Sequence, residues 1–269
     1  MKDFKNKVVV ISGAGSGIGR ALAVAFQELG ARLALNDINA DTLLATVTQV
    51  GGPAVVFYRH FDVSDQAAVY QFAEDVVAHY GRVDVVINNA GVALAKLSAL
   101  KTSLADYEWI IGINLWGMMY GTLAFLPHLQ KQPESSVVNL SSIFGVHGIP
   151  YQAAYSTTKF GIRGFTEALA LEERLHQTGV VATSVHPGGI QTNIARSARY
   201  AGTDSATIEK FEKAFLTSPE QAAQTIIAGI RRKKTRILIG PDARLFYYIN
   251  KLPHGIITWF LLRFARKMA

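Results

Sequence analysis

Seven short runs rich in Val, Ile and Leu, spaced by helical stretches of about a dozen or more residues, leave few folds open to this chain. The runs are residues 7–12 (KVVVIS), 32–37 (RLALND), 54–60 (AVVFYRH), 83–88 (VDVVIN), 136–141 (SVVNLS), 180–187 (VVATSVHP) and 236–240 (RILIG). Between the first two, IGRALAVAFQELGA places apolar residues at helical spacing and ends at Gly30. Strands joined through helices need crossover connections, which are right-handed and give parallel neighbours. The expected fold is therefore α/β: a doubly wound, mostly parallel seven-stranded sheet with helices on both faces. Ligands of such sheets bind beyond the carboxyl ends of the strands. No repeat, linker or low-complexity tract divides the 269 residues, so residues 1–269 are expected to form a single domain.

With 49% apolar and 17% charged residues the chain can bury a large core. It has no cysteine, which removes disulfides and thiolate metal sites and suits a reducing compartment such as the cytoplasm. No metal site is expected. The amino-terminal apolar run is too short for a signal-peptide core. The net charge of +7 is concentrated late, in RRKKTR (231–236) and RFARK (263–267). Neither zinc spacing nor aromatic-basic interleaving accompanies it, so no nucleic-acid partner is expected.

The first strand leads into SGAGSGIG (12–19), whose glycines fit G-x-x-x-G-x-G through Gly13, Gly17 and Gly19. Glycine suits a sharp turn, a close approach of phosphate to backbone, and tight packing of the new helix on the strand. The helix N-terminus then offers N–H groups to an anion, so Ser16 and Ile18 join the candidate contacts. Asp37 ends the second strand about 20 residues on, where a carboxylate can accept hydrogen bonds from an adenosine ribose. It would repel a 2′-phosphate, and the two places for a compensating base hold Ser16 and Ile38. NAD is the expected cofactor, with NADP disfavoured.

A segment beginning at residue 151, YQAAYSTTK, offers two tyrosines and a lysine. Together with SGAGSGIG, FDV (61–63), NNAG (88–91), INLWG (113–117), VNLSS (138–142) and HPGGIQT (186–192), its YSTTK portion (155–159) makes the chain resemble the short-chain dehydrogenase/reductase family, single-domain branch, over about residues 5–240. Ser12 stands where the family usually has Thr and keeps the hydroxyl. The resemblance implies a Rossmann-fold oxidoreductase in which Tyr155 is the general acid/base. The physics agrees: Tyr155 and Lys159 are four residues apart and share a helix face, whereas Tyr151 has another tyrosine at that spacing. An ammonium beside a phenol, and a positive nicotinamide, both favour the phenolate.

The family pattern further implies that Ser142 holds the substrate oxygen and Lys159 the nicotinamide ribose. Asn114 would interrupt a helix and hold a water linking Lys159 to solvent. Asp62 and Val63 would meet the adenine, and Asn89, Ala90 and Gly91 would stabilise the sheet beside the dinucleotide. Ile190 and Thr192 would address the carboxamide, with Pro187 and Gly188 shaping the bend. His186 and His147 lack an identifiable partner carboxylate and are read as structural or pocket-lining.

By the same analogy Val92 to Leu94, Phe144, Val146, His147, Tyr151, Gln152 and Gly189 line the substrate pocket, beneath a lid at 193–218. None of these residues is an arginine or lysine, so a neutral, fairly lipophilic secondary alcohol or its ketone is the expected substrate. A non-catalytic dinucleotide sensor or a membrane-surface scaffold is the alternative. The long helices at about 104–129 and 152–177 are expected to pair copies into a homodimer or homotetramer. Beyond RILIG the extension 241–269 should break at Pro253 and Gly255. Its last part carries Ile257, Phe260, Leu261 and Phe264 at helical spacing, a stripe for the core, a neighbour or an anionic membrane surface.

Overall fold

The computed structural model describes residues 1–95, 97–192, 194, 198–199, 215 and 217–266. The expected lid lies mostly outside these residues. The described chain runs β1 (Val8–Ser12), α1 (Gly17–Glu28), β2 (Arg32–Asp37), α2 (Ala40–Gln49), β3 (Phe57–His60), α3 (Gln66–Tyr80), β4 (Val85–Asn88), α4 (Leu104–Ile111), a π turn (Gly112–Trp116), α5 (Gly117–Leu129), β5 (Ser135–Leu140), a 3-10 turn (Ile143–Gly145), α6 (Ala153–Leu175), β6 (Val180–Pro187), α7 (Pro219–Arg231), β7 (Arg236–Ile239), α8 (Pro241–Ile249) and α9 (His254–Arg266).

The strands form one sheet in the order β3-β2-β1-β4-β5-β6-β7, and every pairing in it is parallel. Strand order reverses between β1 and β4, which opens a crevice at their carboxyl ends, where the glycine turn and Asn89 stand. Because both faces of the sheet are covered, β1 and β4 are nearly continuous apolar runs rather than alternating ones, and β5 is buried along its whole length. Leu22 and Phe26 of α1, Leu43 of α2 and Ile226 of α7 fill one face. Phe72 of α3, Phe125 of α5 and Leu169 of α6 fill the other. Each such side chain contributes about 1.5–3 kcal/mol by leaving water.

Two expectations are corrected. The third strand begins at Phe57, because Gly51 and Gly52 at positive φ and Pro53 lead into a turn. Val55 and Val56 both donate from their amides to the Gly52 carbonyl. In the extension the helix breaks over Asn250–Pro253, whereas Gly255 lies inside the first turn of α9. The segment Leu104–Leu129 is long and apolar enough to cross a bilayer, yet Ile110, Phe125 and Leu129 are buried in the protein core.

Candidate active site

Local sequence decides which tyrosine enters the cleft. Helix α6 starts at Ala153, so Tyr151 precedes it, sits at φ +63° and is 47% exposed. Left-handed backbone is strained for an aromatic residue, and the surrounding turn holds it there. Tyr155 lies in the first turn of α6, with the Lys159 ammonium 5.4 Å from its ring centre. The Phe144 ring meets it edge-on at 6.1 Å. Ser142 ends the loop from β5, where its Oγ accepts from the Phe144 amide at 3.1 Å and stands near enough to the Tyr155 phenol to favour its ionised form.

Burial pushes the Tyr155 phenol up to about 12, opposed in part by the Ser142 hydroxyl beside it. Burial also pulls Lys159 down to about 8. Lys159 is 4% exposed, and its Nζ donates to the Leu140 carbonyl at 2.9 Å. The sequence leads one to expect a phenol lowered by its lysine. Desolvation dominates here instead, because low dielectric penalises both charged forms.

Asn114 falls on the π turn, so the expected interruption of the helix is present. Such a turn shifts one residue out of the helical register, a device often found at sites. The side chain is 1% exposed. Its Oδ1 accepts from the Val92 amide at 2.7 Å, and its Nδ2 donates to the Val92 carbonyl at 2.9 Å and to Thr158 Oγ1 at 3.3 Å. A Cβ on Gly91 would stand 3.2 Å from Asn114 Oδ1 and 3.6 Å from Lys159 Nζ, so these two side chains converge at Gly91.

The dinucleotide side is built on backbone approach. Gly13 and Gly17 have φ of +65° and +50°, and a Cβ on Gly13 would come within 2.8 Å of the Ala90 backbone. The Ser12 hydroxyl accepts from the amides of Asn89 and Ala90 at 3.1 and 3.2 Å, the service the retained hydroxyl should perform. Asn89 Nδ2 ties back to the carbonyls of Ser12 and Gly13. Helices α2, α3, α4 and α7 are capped by the side chains of Asn39, Asp65, Ser103 and Ser218. Ser16 caps nothing in α1, whose first N–H groups stay available to an anion.

Asp37 accepts from Gly15 N at 2.8 Å and from Asn39 N at 2.9 Å, which fixes a carboxylate at the rim. Ile38 beside it is 61% exposed. Asp62 accepts from Ser64 N, and Val63 packs where a Cβ on Gly117 would be. Thr192 Cγ2 lies 3.1 Å from a Cβ position on Gly17, so the loop after β6 folds across the glycine turn. Uncapped amides, a close-approach turn and a rim carboxylate together fit an adenine dinucleotide.

A sequence model of the short chain dehydrogenase family matches residues 7–201. The chain belongs to that family. It is 45% identical over 249 residues to the putative oxidoreductase SadH of Mycobacterium tuberculosis, covering 91% of this chain and 90% of that one. Among solved structures, a short chain dehydrogenase/reductase of Burkholderia phymatum in complex with NAD superposes with a TM-score of 0.86 at 26% identity, covering 96% of each chain. An alcohol dehydrogenase from Thermococcus sibiricus complexed with 5-hydroxy-NADP gives 0.75 at 28% identity, covering 87% of this chain and 96% of that one.

Within this short chain dehydrogenase the remaining expected residues divide. Val92 and Leu94 join Tyr155, Ile110 and Ala154 in an apolar cluster beside the phenol. Gln152 precedes α6, and its carbonyl accepts from Ser156 N. The Ile190 side chain is buried in the core, and its carbonyl accepts from the Thr192 amide at 2.8 Å. Gly189 is less open than expected. Its amide donates to Asp242 Oδ2 at 2.7 Å, and the Phe215 ring covers the position of a Cβ.

His186 is fully buried, with Nδ1 3.0 Å from the Ser142 carbonyl and Nε2 3.1 Å from Ser184 Oγ. A carbonyl only accepts, so Nδ1 carries the proton and Ser184 donates to Nε2. Burial pulls this imidazole down to about 4, so it stays neutral, the structural role expected of it.

Sequence reasoning missed three groups. Arg20 of α1 reaches back toward the adenosine end, but its guanidinium is committed to the carbonyls of Gly15 and Thr42 and its Nε to Thr46 Oγ1. Asp242 and Asn250 reach the active-site loops from the extension. Their one local signal is position, at the two ends of a short helix.

Proposed function

We propose that the protein is an NAD-dependent oxidoreductase that interconverts a neutral, fairly lipophilic secondary alcohol and its ketone. The observation that carries this reading is the buried Tyr155 phenol, with Ser142 beside it, flanked by Lys159 and walled by Phe144, Val92 and Leu94. Bound NAD supplies the hydride acceptor for alcohol oxidation, and its reduced form supplies the donor for ketone reduction. Ser142 holds the substrate oxygen. Tyr155 takes the hydroxyl proton during oxidation and returns it to the carbonyl oxygen in reverse. With a phenol near 12 the protonated form dominates, ready for donation to a ketone. Oxidation needs the phenolate, which the Lys159 ammonium and the positive charge of oxidised nicotinamide favour.

Gly13, Ser16, Gly17, Ile18 and Gly19 would hold the pyrophosphate, and Asp37 the adenosine ribose. The exposed Ile38 and the committed Arg20 leave a 2′-phosphate without an evident partner, which favours NAD. The test is a panel of secondary alcohols with NAD+ and NADP+, followed by absorbance of the reduced cofactor. Turnover that prefers NADP+, or none with any alcohol or ketone, overturns the reading.

The same reading includes a cytoplasmic homodimer or homotetramer. Leu104, Trp116 and Leu123 on the α4–α5 helix, with Phe160, Leu171 and Leu175 on α6, expose apolar surface of the kind a second copy would cover. It also includes peripheral contact with an anionic membrane. The orientation differs from the expected stripe: Ile257 is buried, whereas Ile256, Trp259 and Leu262 of α9 are exposed, as are Leu245 and Tyr248 of α8 and Leu252. The side chains of Phe260 and Phe264 lie outside what the structure describes. No acid follows Asp242, while Arg244, Lys251, Arg263, Arg266 and Lys267 do follow it, a balance that suits an anionic surface.

A further inference from the structure

Helix α8 joins the two sides of the cleft. At its first turn, Asp242 Oδ2 accepts from the Gly189 amide at 2.7 Å. A side chain on Gly188 would run into the same carboxylate. Gly188 and Gly189 belong to the loop that closes across the glycine turn. At the other end, Asn250 caps α8, and its Nδ2 donates to the Val146 carbonyl at 3.2 Å. Its Oδ1 lies 2.6 Å from His147 Nδ1. Because the amide nitrogen is spent on a carbonyl, Oδ1 accepts and His147 carries its proton on Nδ1. Val146 and His147 follow the turn that holds Ser142 and Phe144.

The helix between these anchors is itself fixed. Ala243 is fully buried. Arg236 of β7 donates to Tyr247 Oη at 2.5 Å and pairs with Glu167, which also binds Arg163 at 2.9 Å. Glu167 and Arg163 stand on α6, the helix that carries Tyr155. A rigid nine-residue rod therefore spans from the cofactor loop to the substrate loop, referenced to the catalytic helix.

We propose that α8 is a brace whose two ends position the two sides of the site separately: Asp242 sets the Gly188–Gly189 loop for the dinucleotide, and Asn250 sets the Val146–His147 loop for the substrate. This rests on the oxidoreductase reading. Neither residue touches the reacting atoms, so each acts through the loop it holds. A bond of this kind contributes modestly, and its loss should appear as a change of about three- to tenfold.

The test compares Asp242→Ala and Asn250→Ala in the full chain. NADH binding is read by fluorescence titration, and KM and kcat are measured over the alcohol panel. Asp242→Ala should weaken NADH binding about three- to tenfold with substrate preference unchanged, and Asp242→Asn, which keeps an acceptor for the Gly189 amide, should restore it. Asn250→Ala should leave NADH binding within twofold, raise KM and reorder the preference among alcohols. It should also remove the Nδ1–H signature of His147 from imidazole nitrogen spectra, assigned with His147→Gln. Should an alanine variant not fold, Asp242→Ser and Asn250→Ser, whose shorter side chains fall short of either loop, carry the same split. Variants that change NADH binding and KM by the same factor, or change neither, overturn the brace. If no alcohol is turned over, NADH binding and the His147 spectrum still decide it. Wild-type protein that binds no dinucleotide refutes the oxidoreductase reading instead.

Discussion

Replacing Lys159 by methionine should make the protein more stable at pH 7 and less able to work. In the fold the lysine is 4% exposed, and burial brings it from 10.5 down to about 8. At 1.36 kcal/mol per decade that drop is a penalty of about 3 kcal/mol at pH values below about 8, where the lysine is protonated in both states. Methionine is close in length and carries no charge to desolvate. It also leaves the Leu140 carbonyl without its 2.9 Å donor, which costs about 1–2 kcal/mol.

The net gain at pH 7 is about 1–2 kcal/mol, or a Tm rise of about 2–4 °C in a chain of this size. The folded pKa lies below the unfolded one, so the unfolded chain binds the proton more tightly. Wild-type stability therefore climbs as pH rises from about 8 to 10.5, and the burial penalty falls to about 2 kcal/mol by pH 9. Above pH 10.5 only the lost hydrogen bond remains, and methionine becomes the less stable variant. Thermal unfolding of both proteins at pH 7, 9 and 10.5 reads the crossing. A methionine variant that is less stable at pH 7, or a gap that does not move with pH, refutes the reasoning.

Tyr155→Phe should abolish turnover while NADH binding stays nearly intact, and Tyr151→Phe should retain most activity; equal losses would reject the assignment. Asp37→Ala should narrow the preference for NAD+ over NADP+ in kcat/KM. Because Asp37 also receives the Gly15 and Asn39 amides, the variant should lose about 1–2 kcal/mol of stability. Deleting residues 255–269 should reduce partitioning onto anionic vesicles and raise KM for long-chain alcohols more than for short ones; unchanged partitioning removes the membrane from the reading. Sedimentation at micromolar concentration should give a dimer or tetramer, and a monomer alone would contradict pairing through the α4–α5 helix and α6.

The strands, the glycine turn and the Tyr155–Lys159 pair were legible because each is written within a few residues of itself. Apolar periodicity marks β1 and α1, positive φ demands Gly13 and Gly17, and four-residue spacing puts Tyr155 above Lys159 on one helix face. What tertiary structure alone decided comes from residues far apart in the chain. Lys159 reads as a helper cation in sequence, yet packing between β5 and α6 makes its charge costly. The tail stripe could face either way until Ile257 turned inward and Trp259 outward. Asp242 meets Gly189 across 53 positions and Asn250 meets His147 across 103. Such pairings leave no periodic trace, because a hydrogen bond between distant loops requires only one suitable atom at each end and the fold supplies the rest.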